Sequence, residues 1–154
     1  MNWYENLLDE AYKNNVTVIE KDFKSNAKGL IKGCKIGIRK NLNTLDKTCV
    51  LAEELGHYYK TVGNILDQKD IRNKKQELIA RKWAYEKLVP IEKLVEANLN
   101  QIKHYELAEY LNVTDEFLTE AILYYKSKYG MYVNYKNYIL MFEPFGLLES
   151  FDRR

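Results

Sequence analysis

The sequence predicts an α+β fold, mainly helical, and three observations carry that expectation. Apolar residues recur at helical spacing near residues 3–13, across most of 49–67 and over about 76–89. Between the first two stretches lie short alternating runs broken by glycine, the mark of a small antiparallel sheet. Beyond His104 a helix-turn-helix pattern is followed by another alternating run that turns near Asn134–Asn137, a β-hairpin in the position of a wing. At 154 residues the chain suits a core over 1–100 with a segment over 101–154 packed on it.

In order, 3–13 places Trp3, Leu7 and Ala11 on one side of a helix and Asp9 and Glu10 on the other. Val16 and Val18 open a strand. Leu30 and Ile31, a turn at Lys32-Gly33, then Ile36 and Ile38 alternating with Lys35, Gly37 and Arg39 read as a hairpin. Its second strand is short, basic and glycine-containing, as edge strands often are, so Ile36 and Ile38 mark an edge on which an extended substrate could add as a further strand.

Asn43 or Thr44 caps the next helix, with Asp46 in its first turn, where the helix dipole favours an anion. On that helix Leu51, Leu55, Tyr58 and Val62 face the core, while Glu53 and His57, spaced i and i+4, share the opposite side with Glu54 and Thr61 as flanks. Gly56, unfavourable in a helix interior, signals a close approach by something else. Residues 63–75 are polar and read as a loop. The helix from about Gln76 to Val89 ends at Pro90 and lines up Glu77, Ala80, Ala84 and Leu88, small residues suited to close packing, headed by a carboxylate that needs a partner.

Charge and cysteine use narrow the partners. Net charge is +2 with a pI near 8.3, which singles out neither nucleic acid nor membrane. Two cysteines without a CxxC pair suit a reduced compartment; with no apolar leader or spanning stretch, a cytoplasmic protein is expected. Eight of the thirteen tyrosines lie beyond His104, yet the second helix of the helix-turn-helix pattern holds Asp115, Glu116 and Glu120 before any lysine. A DNA-reading helix needs cations against phosphate, so this segment reads as a packing or protein-recognition element.

E-E-L-G-H over residues 53–57 has the spacing of H-E-x-x-H, in which two histidines bind zinc and the glutamate activates water. LAEELGHYY, followed twenty residues after its histidine by QELIARKWAYEKLVP, resembles the ImmA/IrrE family of metallopeptidases, whose pattern is HELGH and then E-x-x-A-N-x-F-A closing on L-M-P. Glu54, Leu55, Gly56 and His57 match the first motif. Glu77, Ala80, Trp83, Ala84, Leu88, Val89 and Pro90 match the second, with Arg81 where Asn is usual and Trp83 where Phe is usual. The resemblance implies a zincin-like core of gluzincin type and a Zn²⁺-dependent endopeptidase. In phages and mobile elements such proteins cleave a repressor-type transcription regulator, so the implied partner is a protein substrate of that kind.

Carried over by position, the resemblance makes Glu54 the general base, and His57 and Glu77 metal ligands. Glu53 stands where the family places its first histidine. A carboxylate can still bind Zn²⁺ at about 2.0–2.2 Å, although the more oxygen-rich, less positive site shifts selectivity towards Mn²⁺ or Fe²⁺ and weakens the polarisation of a carbonyl. Tyr58, Tyr59, Arg81 and His104 are the candidate donors to a tetrahedral oxyanion. Two readings of other classes stand beside this one: a relative that binds its partner without cutting it, favoured by Glu53, and a winged-helix DNA-binding protein, opposed by the acidic second helix.

Overall fold

In the computed structural model, which describes residues 2–60 and 71–150, helix α1 (Trp3–Lys13) opens the chain. It starts at a reciprocal cap: the Asn2 side chain accepts from the Glu5 N–H, and the Glu5 carboxylate accepts from the Asn2 N–H. Tyr4, Leu7 and Ala11 form its buried stripe. Three strands follow, β1 (Thr17–Lys21), β2 (Gly29–Lys32) and β3 (Lys35–Arg39), ordered β1-β3-β2. The β2–β3 hairpin turns at Gly33-Cys34, one residue later than the expected Lys32-Gly33, with Gly33 at a φ of 62° that a side chain would resist.

Two sheet expectations need correcting. The sheet is mixed rather than antiparallel, because β1 pairs parallel to β3, Thr17 opposite Lys35 through Lys21 opposite Arg39. For the same reason β3 is the central strand. Ile36 and Ile38 are fully buried core residues, so they offer no edge to a substrate; the open edges belong to β1 and β2.

Helix α2 (Thr44–Lys60) is capped by Asn43, whose side chain accepts from the Asp46 N–H at 2.8 Å. With α1 it covers the inner face of the sheet, and Leu51, Ala52 and Leu55 meet Ile36 and Ile38 in one core. Glu20 on β1 accepts from both the Tyr4 hydroxyl and the Lys47 ammonium, tying α1, β1 and α2 at one corner. Helix α3 spans Ile71–Leu88 and so begins five residues earlier than the sequence pattern indicates. Residues 71–75 lack an apolar period, but their arginine and lysines are good helix formers. Thr61 and Val62 of the expected helix, and the part of the expected loop up to residue 70, lie outside the described residues.

The contacts divide the chain into Met1–Ala84 and Tyr85–Arg154, whereas the sequence reading drew its line at residue 100. In the second unit α4 (Ile91–Leu99) lies against β4 (Tyr132–Tyr135), β5 (Tyr138–Phe142) and β6 (Phe145–Glu149), so it groups with the C-terminal elements. A 3₁₀ turn at His104–Glu106 leads into α5 (Leu107–Leu111) and α6 (Asp115–Tyr129). Asn112 takes the left-handed conformation between the two helices, and the Thr114 hydroxyl caps α6. Leu94, Leu107, Val113, Leu118 and Leu140 fill this second core, and Tyr125 stacks on Phe142. The expected hairpin gains β6 and becomes a three-stranded antiparallel sheet, ordered β4-β5-β6. No helix among the described residues is long and apolar enough to cross a membrane.

Candidate active site

The close approach signalled by Gly56 is to the backbone of α3. A Cβ on Gly56 would stand 2.5 Å from the Ala80 carbonyl oxygen and 3.1 Å from Ala80 Cα, so the two helices touch main chain to main chain. Ala80 and Ala84 are small enough to allow it. Each helix then contributes one turn of polar side chains next to this contact. His57 follows Gly56, Glu77 lies three residues before Ala80, and they meet with Nε2 and Oε2 2.8 Å apart. Glu53, one turn back on α2, faces Arg81, one turn on along α3. The Arg81 Nε lies 3.6 Å from Glu53 Oε1 and 3.8 Å from Glu77 Oε1, so one guanidinium serves carboxylates of both helices.

Glu54 turns towards the sheet. Its Oε2 would be 3.0 Å from a Cβ at Gly29, and Val50 Cγ1 2.5 Å, so only glycine lets β2 lie this close to the helix. Gly29 and Val50 belong to the site's framework and escaped the sequence reading; a glycine inside a strand pattern was the available signal.

Burial and neighbouring charge separate the four acid–base groups. Burial raises the Glu54 carboxyl to about 7, helped by Glu53 and Glu77 and opposed by His57. Burial also raises Glu53, against the pull of Arg81. Glu77 is lowered by its hydrogen bond with His57. Burial opposes the His57 imidazolium, but the bond to Glu77 and the charges of Glu54, Glu77 and Glu53 outweigh it, and its pKa is raised. His57 and Glu77 therefore favour each other's charged forms, while Glu54 is poised to gain or lose a proton near neutrality.

Glu53, His57 and Glu77 have the donor chemistry of a divalent metal site. Three carboxylates stand here against one guanidinium and one imidazole, and burial first, with the neighbouring carboxylates adding to it, raises the Glu53 and Glu54 carboxyls. Among the described residues no three such donors already stand around one point. His57 and Glu77 are closed on each other, and Arg81 supplies the cationic charge between Glu53 and Glu77. Ligand atoms about 2 Å from a common tetrahedral ion sit a little over 3 Å apart, so the 2.8 Å contact needs to open by only about half an ångström. The donor chemistry suits a divalent metal, while the geometry brings only His57 and Glu77 together and sets Arg81 between Glu53 and Glu77.

The other expected residues divide. Arg81 is in the cluster. Tyr59 is engaged elsewhere: its hydroxyl donates to Glu10 on α1 at 2.8 Å and its ring lies 5.1 Å from Trp83. Tyr58 meets Tyr59 edge to face. His104 belongs to the second unit, its ring edge-on to Phe145.

A helix presenting E-E-x-x-H against a second helix with an inward glutamate, beside a strand edge, is an arrangement of metallopeptidase type. Over residues 11–123 the chain matches Peptidase_M78, the IrrE N-terminal-like domain, and it belongs to that family. The ImmA/IrrE resemblance of the two motifs thus holds for the greater part of the chain. No curated protein and no solved structure matches it significantly.

Proposed function

We propose that this protein is a metal-dependent endopeptidase acting on a repressor-type transcription regulator, with Glu53, His57 and Glu77 as the holders of a zinc ion and Glu54 as general base. Mn²⁺ or Fe²⁺ are the alternatives that the oxygen-rich donor set admits. The supporting observation is the meeting of His57 and Glu77 across two helices, 2.8 Å apart and next to a carboxyl raised to about 7. A divalent ion at this place supplies Lewis acidity towards a peptide carbonyl and makes water more acidic. The chain's own residues do the remainder. Glu54 takes the proton of the attacking water and returns it to the leaving amine, a role suited to a pKa near the working pH. Arg81, displaced from Glu53 and Glu77, has a guanidinium to offer the developing oxyanion.

The peptide can be held by β2, the open edge nearest Glu54. Because Lys28, Leu30 and Lys32 exchange ladder bonds with β3, Gly29 and Ile31 turn their N–H and C=O groups outward, ready for an added strand. A second reading, a protein-binding relative that does not cut, is favoured by Arg81, which already provides a cation for the two carboxylates it joins.

The test is metal content by mass spectrometry after dialysis against Zn²⁺, together with cleavage of a repressor encoded next to the gene. Stoichiometric metal and a cut abolished by chelator support the peptidase. Stoichiometric metal with no cut, or tight repressor binding without metal, supports the second reading.

A further inference from the structure

The outer face of the N-terminal sheet, turned away from α1 and α2, carries three cross-strand rows whose register is fixed by the pairing. Thr17, Lys35 and Lys32 form one row, Ile19, Gly37 and Leu30 the next. Lys21, Arg39 and Lys28 form the third, joined by the Arg39 N–H to Lys28 carbonyl bond. An apolar row therefore lies between two basic ones, and none of these nine residues is acidic. The stretch 17–40 holds seven basic residues against two acidic ones, although the whole chain is only +2. Of those two acids, Glu20 points to the inner face, bonded to Tyr4 and Lys47.

The apolar row is open. Ile19 is 49% and Leu30 54% exposed, and Gly37 between them has no side chain, so the row is a cleft with Phe23 packed over its glycine floor as a wall. Its volume is about 260 Å³. Arg39 is committed to the Ser25 and Ala27 carbonyls and to the Phe23 ring, which fixes that wall. Lys21, Lys28, Lys32 and Lys35 form no ion pair among the described residues. Rows on one face of a sheet are two residues apart, about 6.6 Å, the spacing of alternate side chains along any extended chain.

We propose that this face binds an extended, acidic segment of a partner protein, in which an apolar side chain seated between Ile19 and Leu30 is flanked two positions away on either side by Asp or Glu. The basic rows choose the charge and the cleft chooses the apolar residue. Nucleic acid matches less well, since the cleft is mainly aliphatic and Arg39 already lies over its one aromatic ring, so it offers no row of rings on which successive bases could stack. The inference extends the peptidase reading by giving the protein a place to hold a partner outside the α2–α3 cluster, and it needs neither metal nor cleavage.

The experiment uses the full chain, with chelator present, and a blocked peptide containing Glu-Ser-Leu-Ser-Glu, followed by NMR. Saturable shifts are expected at the Gly37 amide and the Ile19 and Leu30 methyl groups, weakening as salt rises. Replacing the peptide leucine by serine should weaken binding about tenfold or more. The double variant Lys32→Glu, Lys35→Glu, which alters only exposed side chains, should lose this peptide and favour a mixed counterpart with Lys at one end and Glu at the other, because the Lys21, Arg39 and Lys28 row stays basic. No shifts at millimolar peptide, or shifts centred elsewhere, overturn the proposal. So does tighter binding of a single-stranded oligonucleotide to the same face, or self-association of the protein through it. Loss of peptidase activity with this binding intact leaves the proposal standing, so the two readings fail separately.

Discussion

Gly56→Ala tests whether the backbone contact between α2 and α3 is what assembles the site. The new Cβ would lie 2.5 Å from the Ala80 carbonyl oxygen, where ordinary contact begins near 3.4 Å, so α3 must retreat by about 0.9 Å. Glu77 is on the same rigid stretch of α3, and its 2.8 Å contact with His57 then opens beyond hydrogen-bonding distance. Overpacking of this kind costs about 1–3 kcal/mol. Losing the bond adds about 1 kcal/mol, taken at the low end because Glu77 is 43% exposed and water replaces part of it. Alanine returns about 1 kcal/mol through helix propensity. The net loss of about 1–3 kcal/mol should lower Tm by roughly 3–10 °C. In an NMR titration of the metal-free variant, the His57 pKa should also fall, since the bond that holds it up has gone. An unchanged or higher Tm with an unchanged His57 titration would refute the argument, because an exposed glycine in a helix is stabilised by the same substitution.

Glu54→Gln should leave metal content nearly unchanged while lowering cleavage by about 10²–10⁴-fold, whereas Glu53→Ala should lose metal and Glu53→His should keep or raise Zn²⁺ binding and activity. Should Glu53→Ala retain full metal by mass spectrometry, ligand and base have been assigned to the wrong neighbours. Arg81→Asn removes the cation that competes for Glu53 and Glu77, so calorimetry should show Zn²⁺ affinity rising by about tenfold; a fall would make Arg81 a supporter of the ligands. The pH dependence follows from Glu54. Its folded pKa, about 7, lies above its ordinary value of 4.5, so the folded state binds the extra proton more tightly. That contribution is full below pH 4.5 and is lost as pH rises through 7, about 3 kcal/mol in all at ~1.4 kcal/mol per tenfold. Chemical denaturation of metal-free protein should show this loss and the Glu54→Gln variant should lack it; identical slopes would place Glu54 in water.

What could be read from the sequence was whatever a single helix or a single turn encodes. The i, i+4 placement of Glu53 and His57, the need for a close neighbour at Gly56, and the stripe of Glu77, Ala80 and Ala84 are local patterns, and the two helices meet through those residues. Pairing between distant segments was not legible. Nothing in Thr17–Lys21 says that it will lie parallel to Lys35–Arg39, and without that strand the glycine-containing, basic β3 has the look of an edge. Strand β6 (FGLLE) is short and follows a proline, so its alternation is too brief to stand out. The first turn of α3 is set by helix propensity without an apolar stripe, which periodicity cannot detect. Arg81 was visible as a donor, but its place between two carboxylates depends on the crossing of the helices.

The hairpin turn has a practical corollary. Its loop residue Cys34 is exposed, while the other cysteine, Cys49, is buried in α2. The native chain thus offers one accessible thiol, and thiol-directed chemistry has a single address. That address is between Lys32 and Lys35, at the end of a basic row. A fluorophore or photo-crosslinker attached there needs no engineered cysteine. It would stand beside the cleft of Ile19 and Leu30 and on the strand pair whose other end approaches Glu54. A crosslinker on Cys34 would therefore convert a brief encounter at either place into a covalent, sequenceable adduct.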